Sequence, residues 1–170
     1  DPEEAMYVAD RIAVMNGGRL HQVDTPTAIY LQPADAFVAG FFGEVNRLGG
    51  TITDGVPETG FAGLASLLAA ATPAEVVKRD GASVDIVLRQ EALALAPTGA
   101  AGADGCPVRV VAARYLGRSS LIDVAPAKAA PDGSGGDGCL RVRVWGRYLP
   151  EAGTQLDLSV RDEGAFVFAA

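Results

Sequence analysis

Apolar and polar positions follow two different periods along the chain, and the change falls near residue 45. In residues 1–12, Ala5, Val8, Ala9 and Ile12 form an apolar stripe at helical spacing. Asp1 is placed to cap the first turn, Pro2 suits the first helical position, and Glu4 completes a capping box. RIAVM and RLHQV flank Asn16-Gly17-Gly18, which predicts a hairpin, because Asn-Gly tolerates the positive φ angles of a type I′ turn. Thr25-Pro26 opens a second short helix containing Ala28, Ile29 and Tyr30. Residues 34–42 form a third, with Ala34, Phe37, Val38 and Phe41 on one face and Gly43 as its stop. Phe37, Phe41 and Phe42 crowd its end and require an apolar partner.

Beyond residue 45 the period falls to two. SVDIVLR (83–89) sets Val84, Ile86 and Leu88 on one face, and PVRVVAARY (107–115) and SLIDV (120–124) follow. CLRVRVW (139–145) sets Leu140, Val142 and Val144 against Arg141, Arg143 and Trp145. QLDLSVR (155–161) sets Leu156, Leu158 and Val160 against Asp157 and Arg161, and AFVF (165–168) is the last run. Alternation of this kind marks half-buried strands, and many short strands with frequent turns predict a small barrel or sandwich. The fold class expected is mainly β with a small α/β segment at the N-terminal side. FAGLASLLAAA (61–71) fits a helix by its alanines and a buried strand by its apolar run. PTGAAGADG (97–105) and PAKAAPDGSGGDG (126–138) are mobile loops by composition.

Composition narrows the classes. Of 170 residues, 49% are apolar and 21% charged, which is globular and excludes a disordered chain. No uninterrupted apolar stretch reaches the length of a membrane span. A formal net charge of −7 argues against nucleic acid as the main partner. The two cysteines, Cys106 and Cys139, are too few for a disulfide framework or a structural zinc site; they fit free thiols in a reducing compartment, with a disulfide joining adjacent strand starts as the second reading. The chain starts at Asp1 without a signal peptide, as a piece of something larger would.

Most candidate chemistry reduces to structure. GSGGDG is not a phosphate loop, because neither Lys78 nor Lys128 follows a glycine, and it fits a flexible hairpin loop. His21, the sole histidine, has no assignable nucleophile or metal partner and fits a solvated strand position. Glu3 and Glu4 favour the helix N-terminus rather than pair as catalytic acids. Trp145 and Tyr148 beside Arg141, Arg143 and Arg147 have the composition of a nucleic-acid platform, but alternation makes them a solvated sheet face. The one exception is RYLGRSS (114–120). Its guanidinium groups, hydroxyls and backbone N–H groups, on Arg114, Gly117, Arg118, Ser119 and Ser120, can hold a small oxyanion. The competing reading is a structural turn with Gly117 at positive φ.

The segment DPEEAMYVADRIAVMNGGRLHQVDTPTAIYLQPADAFVAGFFGEVNRL resembles the end of the nucleotide-binding domain of bacterial ABC-importer ATPases of the iron(III), polyamine and maltose type. The resemblance rests on D-x-x-E-A, A-D-R-I-A-V-M-N-x-G-R, T-P-x-x-I-Y, P-A-x-x-F-V-A-x-F-x-G and Asn46, and it covers about 45 residues. The remainder is similar to the transport-associated OB-like (TOBE) regulatory barrel of the same ATPases. There VLRQEALAL looks like the family's R-P-E-x-L-x-L motif, with Gln90 in place of the proline, and RYLGRSSLIDV looks like its Y-L-G motif. PEAGTQLDLSV and the closing FVF look like its last strands.

The resemblance implies residues 1–45 as the tail of a nucleotide-binding domain and 46–170 as the regulatory β-domain. The family's switch histidine precedes the position of Asp1, and its phosphate loop, Q-loop, signature motif and general base lie further upstream. The chain itself is therefore expected to carry no catalytic, cofactor or metal site. The parent is expected to hydrolyse ATP with Mg and couple it to import, most like the iron(III) branch, with polyamine importers close behind. The implied partners are the upstream nucleotide-binding core, a second copy and the permease subunits, at the inner face of the cell membrane. Ala5, Val8, Phe37 and Phe41 form the expected interaction surface, where the missing core or a swapped neighbouring copy would sit. The alternatives are a stand-alone barrel for molybdate, sulfate or phosphate at the 114–120 junction, and an OB-type nucleic-acid binder.

Overall fold

A computed structural model describes residues 1–100, 105–128 and 138–170. It divides into two units, Asp1–Val45 and Asn46–Ala170.

In the first unit, helix α1 (Pro2–Val8) is capped by Asp1, whose carboxylate accepts the Glu3 amide at 2.8 Å. It stops at Ala9, which is already extended, so Ile12 lies in a strand and not on the helix stripe. Strands β1 (Ile12–Asn16) and β2 (Arg19–Asp24) form the hairpin. Its two central residues are Gly17 and Gly18, with φ of +53° and +77°, while Asn16 still pairs with Arg19. The glycines, not Asn-Gly, therefore take both left-handed positions of the turn. A bulge leaves His21 without a cross-strand partner. Helices α2 (Pro26–Leu31) and α3 (Ala36–Phe41) are capped by the Thr25 hydroxyl and the Asp35 carboxylate. Val14, Ile29, Val38 and Phe42 make the small core of this unit.

The second unit is the expected mainly β fold. Strands β3 (Val45–Thr53) and β4 (Val56–Glu58) are joined by Asp54-Gly55, both at positive φ. Asp-Gly is a strong hairpin signal, and no strand was expected there from periodicity because Gly49-Gly50 interrupts the alternation. The ambiguous 61–71 run is helical: α4 (Leu64–Leu68) continues into a 3₁₀ turn, Ala69–Ala71, with Leu64 and Leu68 fully buried. Next come α5 (Ala74–Val77), β5 (Ser83–Arg89), a 3₁₀ turn (Gln90–Ala92) and β6 (Leu93–Pro97). The remaining strands are β7 (Cys106–Tyr115), β8 (Ser119–Pro126), β9 (Leu140–Trp145), β10 (Gln155–Val160) and β11 (Ala165–Ala169).

One sheet has the order β11-β5-β3-β4. The other, antiparallel throughout, has the order β6-β10-β7-β8-β9 and curls like an open half-barrel, bringing its edge strands β6 and β9 near each other. Residues from both sheets, among them Ile52, Ile86, Leu88, Ile122, Leu140 and Leu158, form one core with α4.

The charged side chains of Asp157 and Arg89 are buried, although alternation set Asp157 opposite the apolar face of its strand. Asp157 is 5% exposed because the residues after β6 fold over it and the Gly99 amide donates to it at 2.7 Å. Arg89 is 1% exposed and lies over the Phe166 ring, 5.0 Å from its centroid. Both cysteines are free, Cys106 buried and Cys139 exposed. Burial, reinforced by the charge of Asp157, pushes the Cys106 thiol up to about 11. Most of the two loop segments called mobile from composition, including GSGGD at 133–137, lies outside the described residues.

Candidate functional site: the β7–β8 junction and the cleft between β6 and β9

The 114–120 segment forms the turn from β7 into β8, with Gly117 at φ +85°. The five residues singled out there do not converge on an open point. Arg114 reaches back along the sheet to Asp123 at 2.7 Å, and Arg141 binds the other carboxylate oxygen at 2.8 Å. Burial opposes the charge on Asp123, but the hydrogen bonds and charges of Arg141 and Arg114 outweigh it and hold its carboxyl below the usual range. The Gly117 carbonyl accepts the Tyr115 hydroxyl. The Arg118 carbonyl accepts the Gly146 amide at 2.9 Å, while its side chain is exposed.

The two serines are inside the protein. Ser120, fully buried, donates to the Gly146 carbonyl and accepts the Tyr148 amide, both at 2.9 Å. It thereby fixes the segment that leaves β9. Ser119 accepts from Arg143 at 3.2 Å, and the second arm of Arg143 points at the Gln90 carboxamide, 3.4 Å away. Gln90 opens a 3₁₀ turn after an extended Arg89, so the bend forms without the proline, and its side chain supplies an acceptor that proline lacks.

Arg143 and Tyr148, both held by these serines, line a cleft of about 380 Å³ between β6 and β9. Its apolar wall is made by Leu93, Leu95, Val144, Trp145 and Tyr148. Arg143, Arg161 and Glu91 supply its charge. Two arginines against one glutamate leave that lining with one net positive charge, in a chain whose formal net charge is −7. The size suits a small molecule or a short side-chain cluster. Sequence analysis named Trp145, Tyr148 and Arg143 only as a solvated face. They come together with β6 because the sheet curls, and no local pattern reports that.

In the first unit, the position expected to be solvated is partnered. His21 Nδ1 lies 2.5 Å from Asp35, and its ring packs on Phe37 with centroids 4.9 Å apart. The bulge at His21 turns it towards the α3 cap. Burial opposes the charge on Asp35, but the His21 and Val38 hydrogen bonds hold its carboxyl below the usual range. Of the expected interaction residues, Val8 is 77% and Phe41 46% exposed, while Ala5 and Phe37 are half-buried. Among the described residues, no three His, Cys, Asp or Glu side chains converge as a metal site, and no helix is long and apolar enough to cross a membrane.

No family model matches the chain. Its relatives are import ATP-binding proteins. It is 37% identical over 124 residues to a sulfate/thiosulfate import ATP-binding protein, CysA 1, of Chromobacterium violaceum, covering 73% of this chain and 32% of that one. A CysA of Xanthomonas campestris pv. campestris is 34% identical over 166 residues, 98% of this chain and 43% of that protein, so both units lie within the match. The spermidine/putrescine import ATP-binding protein PotA of Lawsonia intracellularis is 54% identical over 52 residues, 31% of this chain and 14% of that protein. Among solved structures, the cytoplasmic molybdate-binding protein ModG aligns with a TM-score of 0.49 at 11% identity, covering 74% of this chain and 96% of that one. The chain spans about a third of the length of the curated relatives it matches, and its homologues over that third are ATP-binding subunits of ABC importers.

Proposed function

We propose that this chain is the C-terminal region of the ATP-binding subunit of an ABC importer. Residues 1–45 are then the tail of its nucleotide-binding domain and 46–170 its TOBE-type regulatory domain. The observation that carries this is the 34% identity to a sulfate/thiosulfate import ATP-binding protein across 98% of the chain. The role is regulation and association: no catalytic residue is assigned here, and ATP with Mg belongs to the parent's upstream core. The exposed Val8 and Phe41, with Ala5 and Phe37 beside them, are the surface that meets that core or a second copy. Permease subunits are the further partners, which places the parent on the cytoplasmic face of the membrane. For the solute, the relatives' names favour sulfate or thiosulfate, then polyamine. The three relatives described above are named for sulfate/thiosulfate or spermidine/putrescine, not for the iron(III) implied by the resemblance.

A stand-alone oxyanion barrel at the β7–β8 turn is the weaker reading, because Arg114, Ser119 and Ser120 already have protein partners. The reading frame upstream of the Asp1 codon tests the proposal. A histidine immediately before Asp1, and further back a Gly-x-x-x-x-Gly-Lys-Ser/Thr loop, is the expected result. A start codon within a few residues of Asp1 would overturn it.

A further inference from the structure

We propose that the cleft between β6 and β9 is a binding site for a small organic monoanion: a carboxylate carried on a flat or branched apolar body. The site is independent of the importer assignment, since every lining residue lies in 46–170. Its apolar wall, with Trp145 and Tyr148 at one side and Leu93 and Leu95 at the other, suits a ring or a branched chain. The charge is set by Arg143 and Arg161. Arg143 is oriented from behind by Ser119 and Gln90, which engage two of its N–H groups and leave the rest for a ligand. Arg161 is exposed at the end of β10, and its backbone is fixed by its N–H bond to the Ala92 carbonyl at 2.9 Å. Guanidinium groups match a carboxylate by paired hydrogen bonds.

The presence of Glu91 selects the charge. One net positive charge in the lining balances a monoanion, whereas a dianion would leave excess negative charge beside Glu91. The wall selects against a bare inorganic anion, which would lose hydration against apolar side chains that offer it no hydrogen bonds.

Trp145 is the sole tryptophan and lines the cleft, so its emission reports occupancy directly. The experiment titrates the 170-residue chain with phenylacetate, with phenylacetamide and with sulfate, exciting the tryptophan alone. A saturable change with phenylacetate is expected, with affinity at least about tenfold weaker for the amide and for sulfate. Arg161→Gln, at an exposed position, is expected to weaken phenylacetate about tenfold at an unchanged urea midpoint. Leu95→Glu, which puts a like charge in the wall, is expected to abolish the response. An absent or non-saturable response to phenylacetate overturns the proposal. So does equal affinity for the amide or sulfate, or unchanged binding by both variants.

Discussion

Asp123 has two arginines on its two carboxylate oxygens, and this makes it an acid-sensitive point of the fold. Its folded pKa lies below the ordinary carboxylate value, so its contribution is complete at neutral pH. It is lost as pH falls below about 4 and through the lower folded value. Asp35, held by His21 and the α3 amide of Val38, acts in the same direction. Urea midpoints for the native chain are expected to fall between pH 7 and pH 3. Asp123→Asn should lower the midpoint at pH 7 and make the acid dependence shallower; an unchanged slope would remove Asp123 from this role. Residue chemistry of this kind was only partly legible. The sequence grouped Arg114, Gly117, Arg118, Ser119 and Ser120 at one junction, but it did not show that Arg114 and the two serines bind within the protein. Their partners, Asp123, Arg143, Gly146 and Tyr148, are up to 28 residues away and follow from strand order.

At the scale of elements, two contacts join pieces that the sequence separates. Asn46 on β3 donates to the Arg141 carbonyl of β9 at 2.9 Å and accepts the Arg141 amide at 2.7 Å, so one side chain ties the two sheets together. Asn46→Ala leaves the part-buried Arg141 backbone groups without this partner and is expected to cost about 1–2 kcal/mol, measured by urea denaturation. Gly164 closes a 3₁₀ turn against the one at Gln90–Ala92. A Cβ there would lie 2.2 Å from the Ala92 methyl group. Gly164→Ala is therefore expected to destabilise by about 1–3 kcal/mol through overpacking, with the further variant Ala92→Gly restoring part of the loss. Periodicity located β5 and β7 to β11 closely, because each presents an alternating face to the core. It overextended α1 by four residues, because the stripe to Ile12 runs across the break at Ala9. It left 61–71 undecided, because an Ala- and Leu-rich run satisfies either element. Burial of Leu64 and Leu68 against the sheets goes with the helix.

For the molecule as a whole, the apolar residues fall into two clusters with no shared member, one for each unit. The larger cluster draws only on residues after 45, so 46–170 alone is expected to fold. A cooperative thermal transition with a β-type far-ultraviolet spectrum would show it, and an uncooperative melt would refute it. The sequence by itself determined the class of the fold and the change of period near residue 45. Both rest on local period and turn chemistry. The tertiary structure decided which polar groups are spent and which are available. Closing the sheet order buries Ser119, Ser120, Asp157 and Arg89, and curls β6 towards β9 so that Trp145, Tyr148, Arg143 and Arg161 share one cleft. Those residues lie in different strands and connections, and only the pairing of strands, a non-local choice, sets them side by side.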